Sequence, residues 1–82
     1  MASCKNINLI IARNLKRLRL KNHLTQNQFC EKLRKSGFQI ARNTYTKYES
    51  GTRTVPYDVL LASARFYNVS LEYLLTNESE DS

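Results

Sequence analysis

The segment from Leu24 to Lys35, LTQNQFCEKLRK, admits one local structure, and that structure constrains the rest of the chain. Thr25 is a residue type that caps helix N-termini. Gln28, three positions on, can complete the reciprocal pair in which each side chain satisfies the other's backbone N–H. Leu24 and Phe29 flank this box at the spacing of a hydrophobic staple. A helix therefore starts at about Gln26, with Phe29 and Leu33 inward and the small Cys30 beside them. Gly37, in RKSGFQI, is its expected terminator.

The flanking segments keep the helical period. Between Ile7 and about Asn22, the residues Ile7, Ile11, Leu15 and Leu18 form an apolar stripe, and Arg13, Lys16, Arg17 and Lys21 lie mainly off it. In ARNTYTKYESG, Ala41 to Gly51, one face carries Ala41, Tyr45 and Tyr48 with Glu49 beside them, while Arg42, Asn43, Thr46 and Lys47 point away. Gly51 suits a left-handed C-terminal cap. Pro56 fits the first turn of a fourth helix with Leu60, Ala64 and Tyr67 on one face, and Ser70 caps a short fifth, LEYLL. There is no internal repeat, no alternating strand pattern and no Gly/Ser linker. The expectation is all-α: a compact five-helix bundle over residues 1–75. The remainder, residues 76–82 or TNESEDS, lacks apolar content to bury and is expected to be an acidic, disordered tail.

With 82 residues and 41% hydrophobic content, the chain has material for one core. It carries 13 Lys and Arg against 7 Asp and Glu, and three of the acids, Glu78, Glu80 and Asp81, lie in the tail. The helical part is thus strongly basic, which favours a polyanionic partner, nucleic acid first and an acidic membrane surface second. A basic but uncommitted surface is the bland alternative. The run INLIIA is too short to span a bilayer and follows a single lysine, so it reads as neither a membrane span nor a signal peptide. Cys4 and Cys30 lack the density and spacing of a disulfide framework or zinc site, and fit reduced thiols in a cytoplasmic protein. His23 is the only histidine, at the end of the first helix, where an exposed or capping role suits it. With no glycine-rich phosphate loop and few carboxylates, no catalytic constellation assembles, and no enzyme activity, cofactor or metal is expected.

A helix that shows arginine, asparagine, threonine and lysine on one side, and is held to a core by tyrosines on the other, suits the major groove. Arginine forks onto guanine, asparagine pairs with adenine, and threonine offers a hydroxyl or touches a thymine methyl. The preceding helix would lie across the backbone, with its N-terminal amides and Gln26 aimed at phosphate. Against this stands the plain reading that Arg42, Asn43 and Lys47 form a solvated face. Tyr45 and Tyr48 are expected to be core anchors rather than base-stacking platforms.

The stretches LKRLR at 15–19, LTQNQFC at 24–30, YTKYESG at 45–51, Pro56 and YNVSLEYLL at 67–75 occur in an order that resembles the phage-repressor and Cro-type helix-turn-helix family, the xenobiotic-response-element (XRE) family. The resemblance covers Ile11 to Leu75 and implies a lambda-repressor-like DNA-binding fold. It implies that Arg42, Asn43 and Lys47 read base edges, with Thr46 a weaker candidate, and that Gln26 binds phosphate and braces the first reading residue. Thr52, Arg53 and Thr54 fall in a loop that in the family follows the DNA backbone. Arg19 and Glu49 match a buried ion pair joining the first helix to the end of the third, and Cys30 takes the place of a small residue that allows two helices to cross closely. The chain departs from the family in its longer connection between Leu33 and Ile40, which bears on the angle of the third helix and brings Lys35 or Arg34 into view as a phosphate contact. Ala41 replaces the usual Ser or Thr cap, at a cost of about 1 kcal/mol unless Gln39 or a phosphate substitutes.

The expected function is a sequence-specific, double-stranded-DNA-binding transcriptional regulator, a bacterial or phage-encoded, nucleoid-associated repressor that occupies an operator. Because one recognition helix reads only a few base pairs, a homodimer on a palindromic site is expected. By resemblance its interface would draw on the fourth and fifth helices, from Tyr57, Val69, Leu71 and Leu74. A protein antagonist is a further possible partner. The alternative is an antitoxin-like protein-interaction module on the same scaffold.

Overall fold

The capping box forms as the sequence predicts. Thr25 Oγ1 accepts from the Gln28 N–H at 3.0 Å, and Gln28 Oε1 accepts from the Thr25 N–H at 2.9 Å. A computed structural model describes residues 4–76, with side chains from Ile7 onward. The order is α1 (Cys4–Lys21), α2 (Gln26–Lys35), α3 (Arg42–Glu49), α4 (Tyr57–Tyr67) and α5 (Leu71–Leu75), so the regular structure among the described residues is entirely helical. Apart from Thr76, the expected tail lies outside the described residues.

The first four helices end by one device, a residue in the left-handed region whose N–H and the next bond back to the last turn. For α1, the N–H groups of Leu24 and His23 reach the carbonyls of Arg19 and Leu20. For α2, those of Phe38 and Gly37 reach Leu33 and Arg34. For α3, Thr52 and Gly51 reach Lys47 and Tyr48, and for α4, Val69 and Asn68 reach Ala64 and Arg65. The φ values are 59° at His23, 101° at Gly37, 79° at Gly51 and 60° at Asn68. The glycines were legible as terminators. At His23 and Asn68 a side chain accepts the same strain, and the lone histidine has the capping role expected of it.

Replacing Gly51 by alanine is expected to destabilise the protein by about 1 to 2 kcal/mol, the cost of a Cβ in left-handed backbone. The added Cβ would also stand 2.8 Å from Leu9 Cδ2, a side chain exposed enough to swing aside. Gly37→Ala provides the control, because nothing lies within 4 Å of its Cβ. Urea denaturation of both variants separates backbone strain from the Leu9 contact.

The core gathers Ile11, Leu15 and Leu18 from α1, Phe29 and Leu33 from α2, Tyr45 and Tyr48 from α3, Val59 and Ala64 from α4 and Leu74 from α5, with Val55 between α3 and α4. Phe29 is central, its ring 5.0 Å from Tyr45, 5.3 Å from Phe66 and 5.4 Å from Tyr67. α1 packs against α3 and α5, α2 against α3, and α4 against α5. Asn14, buried in α1, fixes the far end of the chain: its Nδ2 donates to the carbonyls of Leu74 at 2.8 Å, Thr76 at 3.1 Å and Tyr73 at 3.3 Å. These are the carbonyls that the end of α5 leaves without helical partners.

Several expectations are corrected. α1 begins at Cys4 rather than near Ile7, and Ile7 is 39% exposed rather than on the buried stripe. In α4 the buried positions are Val59, Ser63 and Ala64, with Leu60 and Tyr67 only half-buried. Leu74 is fully buried, so it cannot belong to a dimer face; its neighbour Leu75 is exposed instead. The longer connection after α2 delivers Phe38 and Ile40 to the edge of the core and leaves Gln39 in solvent.

Candidate nucleic-acid interface

α3 is divided sharply by exposure. Tyr45 is 0% exposed and Tyr48 7%, whereas Arg42, Asn43, Thr46 and Lys47 all stand in solvent. The tyrosines are core anchors, as expected. No side chain caps α3 at Ala41, so Gln39 does not replace the missing Ser or Thr. Arg42 lines a shallow cleft with Thr25, Gln26 and Asn27, which brings the first turn of α3 beside the N-terminus of α2. Asn27 was not singled out by the sequence, since a polar residue in a first turn carries no signal of its own.

Beneath this surface lies the ion pair that the resemblance implied. Arg19 Nε donates to Glu49 Oε2 at 2.7 Å and Nη2 to Oε1 at 2.9 Å, while Nη1 donates to the Leu24 carbonyl at 2.8 Å. The pair therefore ties α1, the turn before α2 and the end of α3 together. Burial by itself would raise the Glu49 carboxyl, but the hydrogen bonds from Arg19 and Gln26, the nearby Tyr45 hydroxyl and the Arg19 charge hold it below the usual carboxylate range. The bond to Glu49 outweighs burial at Arg19 and raises its guanidinium further. Tyr45 is pushed far above the usual phenol range by burial and then by Glu49, although its hydroxyl has no hydrogen-bond partner of acceptable geometry. The Cys30 thiol, free and buried next to this group, is raised by burial and by the Glu49 charge, so it stays protonated.

Gln26 is placed differently from the expected brace. Its Nε2 donates to Glu49 Oε1 at 3.2 Å and its Oε1 accepts from Thr46 Oγ1 at 2.7 Å. It shares a cleft with Arg42, but its hydrogen bonds run to Glu49 and Thr46, so the α3 residue it braces is Thr46.

The loop after α3 is tied down through its backbone. The N–H groups of Thr52 and Arg53 both turn back to the Lys47 carbonyl, at 3.1 and 3.3 Å, and Ser50 Oγ lies 2.7 Å from Thr52 Oγ1. Asn8 of α1 donates to Thr54 Oγ1 at 3.4 Å. Thr52, Arg53 and Thr54 are all exposed, and with their amides turned inward Thr52 and Arg53 offer a ligand their side chains. Lys35 stands nine residues after Gln26, which at 3.6 residues per turn is half a turn round α2, in a cleft with Asn27, Gln28, Glu31 and Lys32. Arg34 pairs with Glu31 at 2.7 Å on the exposed side of the same helix.

Among the described residues there is no group of three or more His, Cys, Asp or Glu side chains able to hold a metal ion, and no helix long and apolar enough to cross a membrane.

Residues 12–80 match the family model described as helix-turn-helix domain. The chain is 38% identical over 72 residues to YqaE of Bacillus subtilis strain 168, an uncharacterized HTH-type transcriptional regulator, covering 88% of this chain and 58% of that protein. It is also 38% identical over 61 residues to YobD of the same organism, another uncharacterized HTH-type transcriptional regulator, covering 74% of this chain and 50% of that one. The chain thus spans little more than half the length of the curated relatives it matches. No solved structure matches. Model match, relatives and the five-helix fold agree, and the chain belongs to the helix-turn-helix domain family, of the xenobiotic-response-element type.

Proposed function

We propose that the protein is a sequence-specific double-stranded-DNA-binding transcriptional regulator that places α3 in the major groove. One observation carries this reading: Arg42, Asn43, Thr46 and Lys47 are exposed together on a helix whose opposite face is locked into the core by Tyr45 and Tyr48. Such an arrangement supplies donors and acceptors for base edges on a rigid support. Gln26 and Asn27 at the start of α2, with Arg53 and the hydroxyls of Thr52 and Thr54 after α3, flank that face as phosphate contacts. The relatives named as transcriptional regulators support the same reading. The protein acts as a homodimer that represses by occupying a palindromic operator, its two α3 helices reading half-sites about one helical turn apart. Tyr57, 66% exposed, with the half-buried Val69 and Leu71, supplies the apolar surface for pairing.

Selection of bound sites from a random duplex library tests the proposal, using wild-type protein alongside Arg42→Ala and Asn43→Ala variants shown to be folded by circular dichroism. The expected result is a two-fold symmetric motif in which each variant relaxes preference at its own position, with a loss of about 1 to 3 kcal/mol per half-site for the preferred base. Affinity should also fall steeply with added salt, as phosphate contacts release counterions. A folded wild-type protein that enriches no motif would overturn the reading, and an asymmetric motif would overturn the homodimer.

A further inference from the structure

Thr46 carries both a hydroxyl and a methyl group, and in the groove either could face a base. The hydrogen-bond chain behind it decides between them. Glu49, paired with Arg19, is ionised and can only accept. The Gln26 amide approaches it at 3.2 Å and must therefore present its NH2 group on that side. Its carbonyl oxygen is then turned the other way, toward Thr46 Oγ1 at 2.7 Å, and a carbonyl also only accepts. Thr46 must be the donor. The other acceptor within reach of its hydroxyl is the Arg42 carbonyl, at 2.9 Å in the preceding turn, again within the protein. The single hydroxyl proton is committed inward from two directions, although the residue itself is exposed.

We infer that Thr46 reads DNA through its methyl group, as an apolar contact for a pyrimidine C5-methyl in the major groove, and that the Arg19–Glu49–Gln26 chain is the positioning device that holds it in that rotamer. The inference rests on the DNA-binding reading above and adds the chemistry of one contact. Donation to guanine O6 or N7, adenine N7 or thymine O4 would need the proton that Thr46 already gives to Gln26, so the only polar contact left to this oxygen is to accept from cytosine N4 or adenine N6. The C5-methyl is carried by thymine and by 5-methylcytosine, and the two sources call for separate arms in the test.

The test uses the duplex enriched by wild-type protein. Each thymine in a half-site is replaced in turn by deoxyuracil, which removes only the methyl group, and each cytosine by 5-methylcytosine, which adds one. Affinities are measured for wild type, Thr46→Ser and Thr46→Val. If thymine supplies the methyl, deoxyuracil at one half-site position weakens wild-type binding about three- to fivefold, the worth of one buried methyl. If 5-methylcytosine supplies it, methylation at one position strengthens binding by the same factor. Thr46→Ser keeps the hydroxyl chain, loses the methyl and becomes indifferent at that position. Thr46→Val keeps the methyl and remains sensitive.

Three results overturn the inference while leaving the DNA-binding reading intact. One is specific binding that is indifferent to every methyl substitution. Another is a methyl sensitivity that survives in Thr46→Ser. Loss of base preference in Thr46→Val at a position where deoxyuracil is neutral would identify the hydroxyl as the reader and overturn it equally. Failure of wild type to enrich any duplex overturns both readings, so the two failures are distinguishable.

Discussion

Arg19→Met should destabilise the fold by about 3 to 5 kcal/mol, because it leaves the Glu49 carboxylate buried without its partner. A domain of this length has roughly 4 to 12 kcal/mol of stability in total, so the loss removes between a quarter of it and all of it. Urea denaturation measures the loss. The double variant Arg19→Met, Glu49→Leu removes the charge together with its desolvation cost, and should recover most of the stability. Recovery identifies the stranded charge as the cause, whereas a double variant as unstable as the single one would point to lost packing of the arginine stem.

The pH dependence carries a sign that distinguishes the same mechanism. In wild type the Glu49 carboxyl titrates below its unfolded value, so its contribution is complete above the usual carboxylate range and is lost as pH falls through the lower folded value. In Arg19→Met the arginine's hydrogen bonds and charge are gone, and burial is opposed only by Gln26 and the nearby Tyr45 hydroxyl, so the carboxyl moves upward. A group raised by folding stabilises below its unfolded value and loses that contribution as pH rises. The gap between wild type and variant should therefore narrow on acidification. A gap that stays constant from neutral pH to pH 4 would show that the buried charge is not the source.

Phe29→Ala should cost about 3 to 5 kcal/mol, comparable with loss of the ion pair but with no pH dependence. The ring is fully buried among Tyr45, Phe66 and Tyr67, contributed by α3 and α4, so truncation opens a cavity where three helices meet. Leucine at this position keeps most of the volume and loses the stacking with Tyr67, and its cost should stay below about 1.5 kcal/mol. Equal losses for alanine and leucine would mean that ring contacts rather than volume hold this site. Because Tyr45 anchors from behind the α3 face proposed to read bases, folded Phe29→Leu should bind DNA as wild type does.

The features that the chain declares openly are those whose interactions close within a few residues. The Thr25–Gln28 box, the Ser70 cap and the terminators Gly37 and Gly51 each bond to backbone no more than five positions away, so residue type and spacing suffice to place them. The division of α3 was legible for the same reason, because 3.6 residues per turn puts Tyr45 and Tyr48 together and Arg42, Asn43, Thr46 and Lys47 opposite. Where a reading depended on how one element faces another, local pattern gave too little. The segment LEYLL does not say whether Leu74 or Leu75 meets α1, and packing against Asn14 and the core settled it. The Gln26 amide had several polar groups in prospect, and only the meeting of α1, α2 and α3 at the ionised Glu49 selected its orientation. The sequence by itself determined the five helices, the capped starts of α2 and α5, the glycine terminators and the polar face of α3, because those follow from backbone geometry over a few residues. Tertiary structure alone decided which polar atoms of that face remain free, because each hydrogen bond is taken by whichever partner the packed helices bring within about 3 Å.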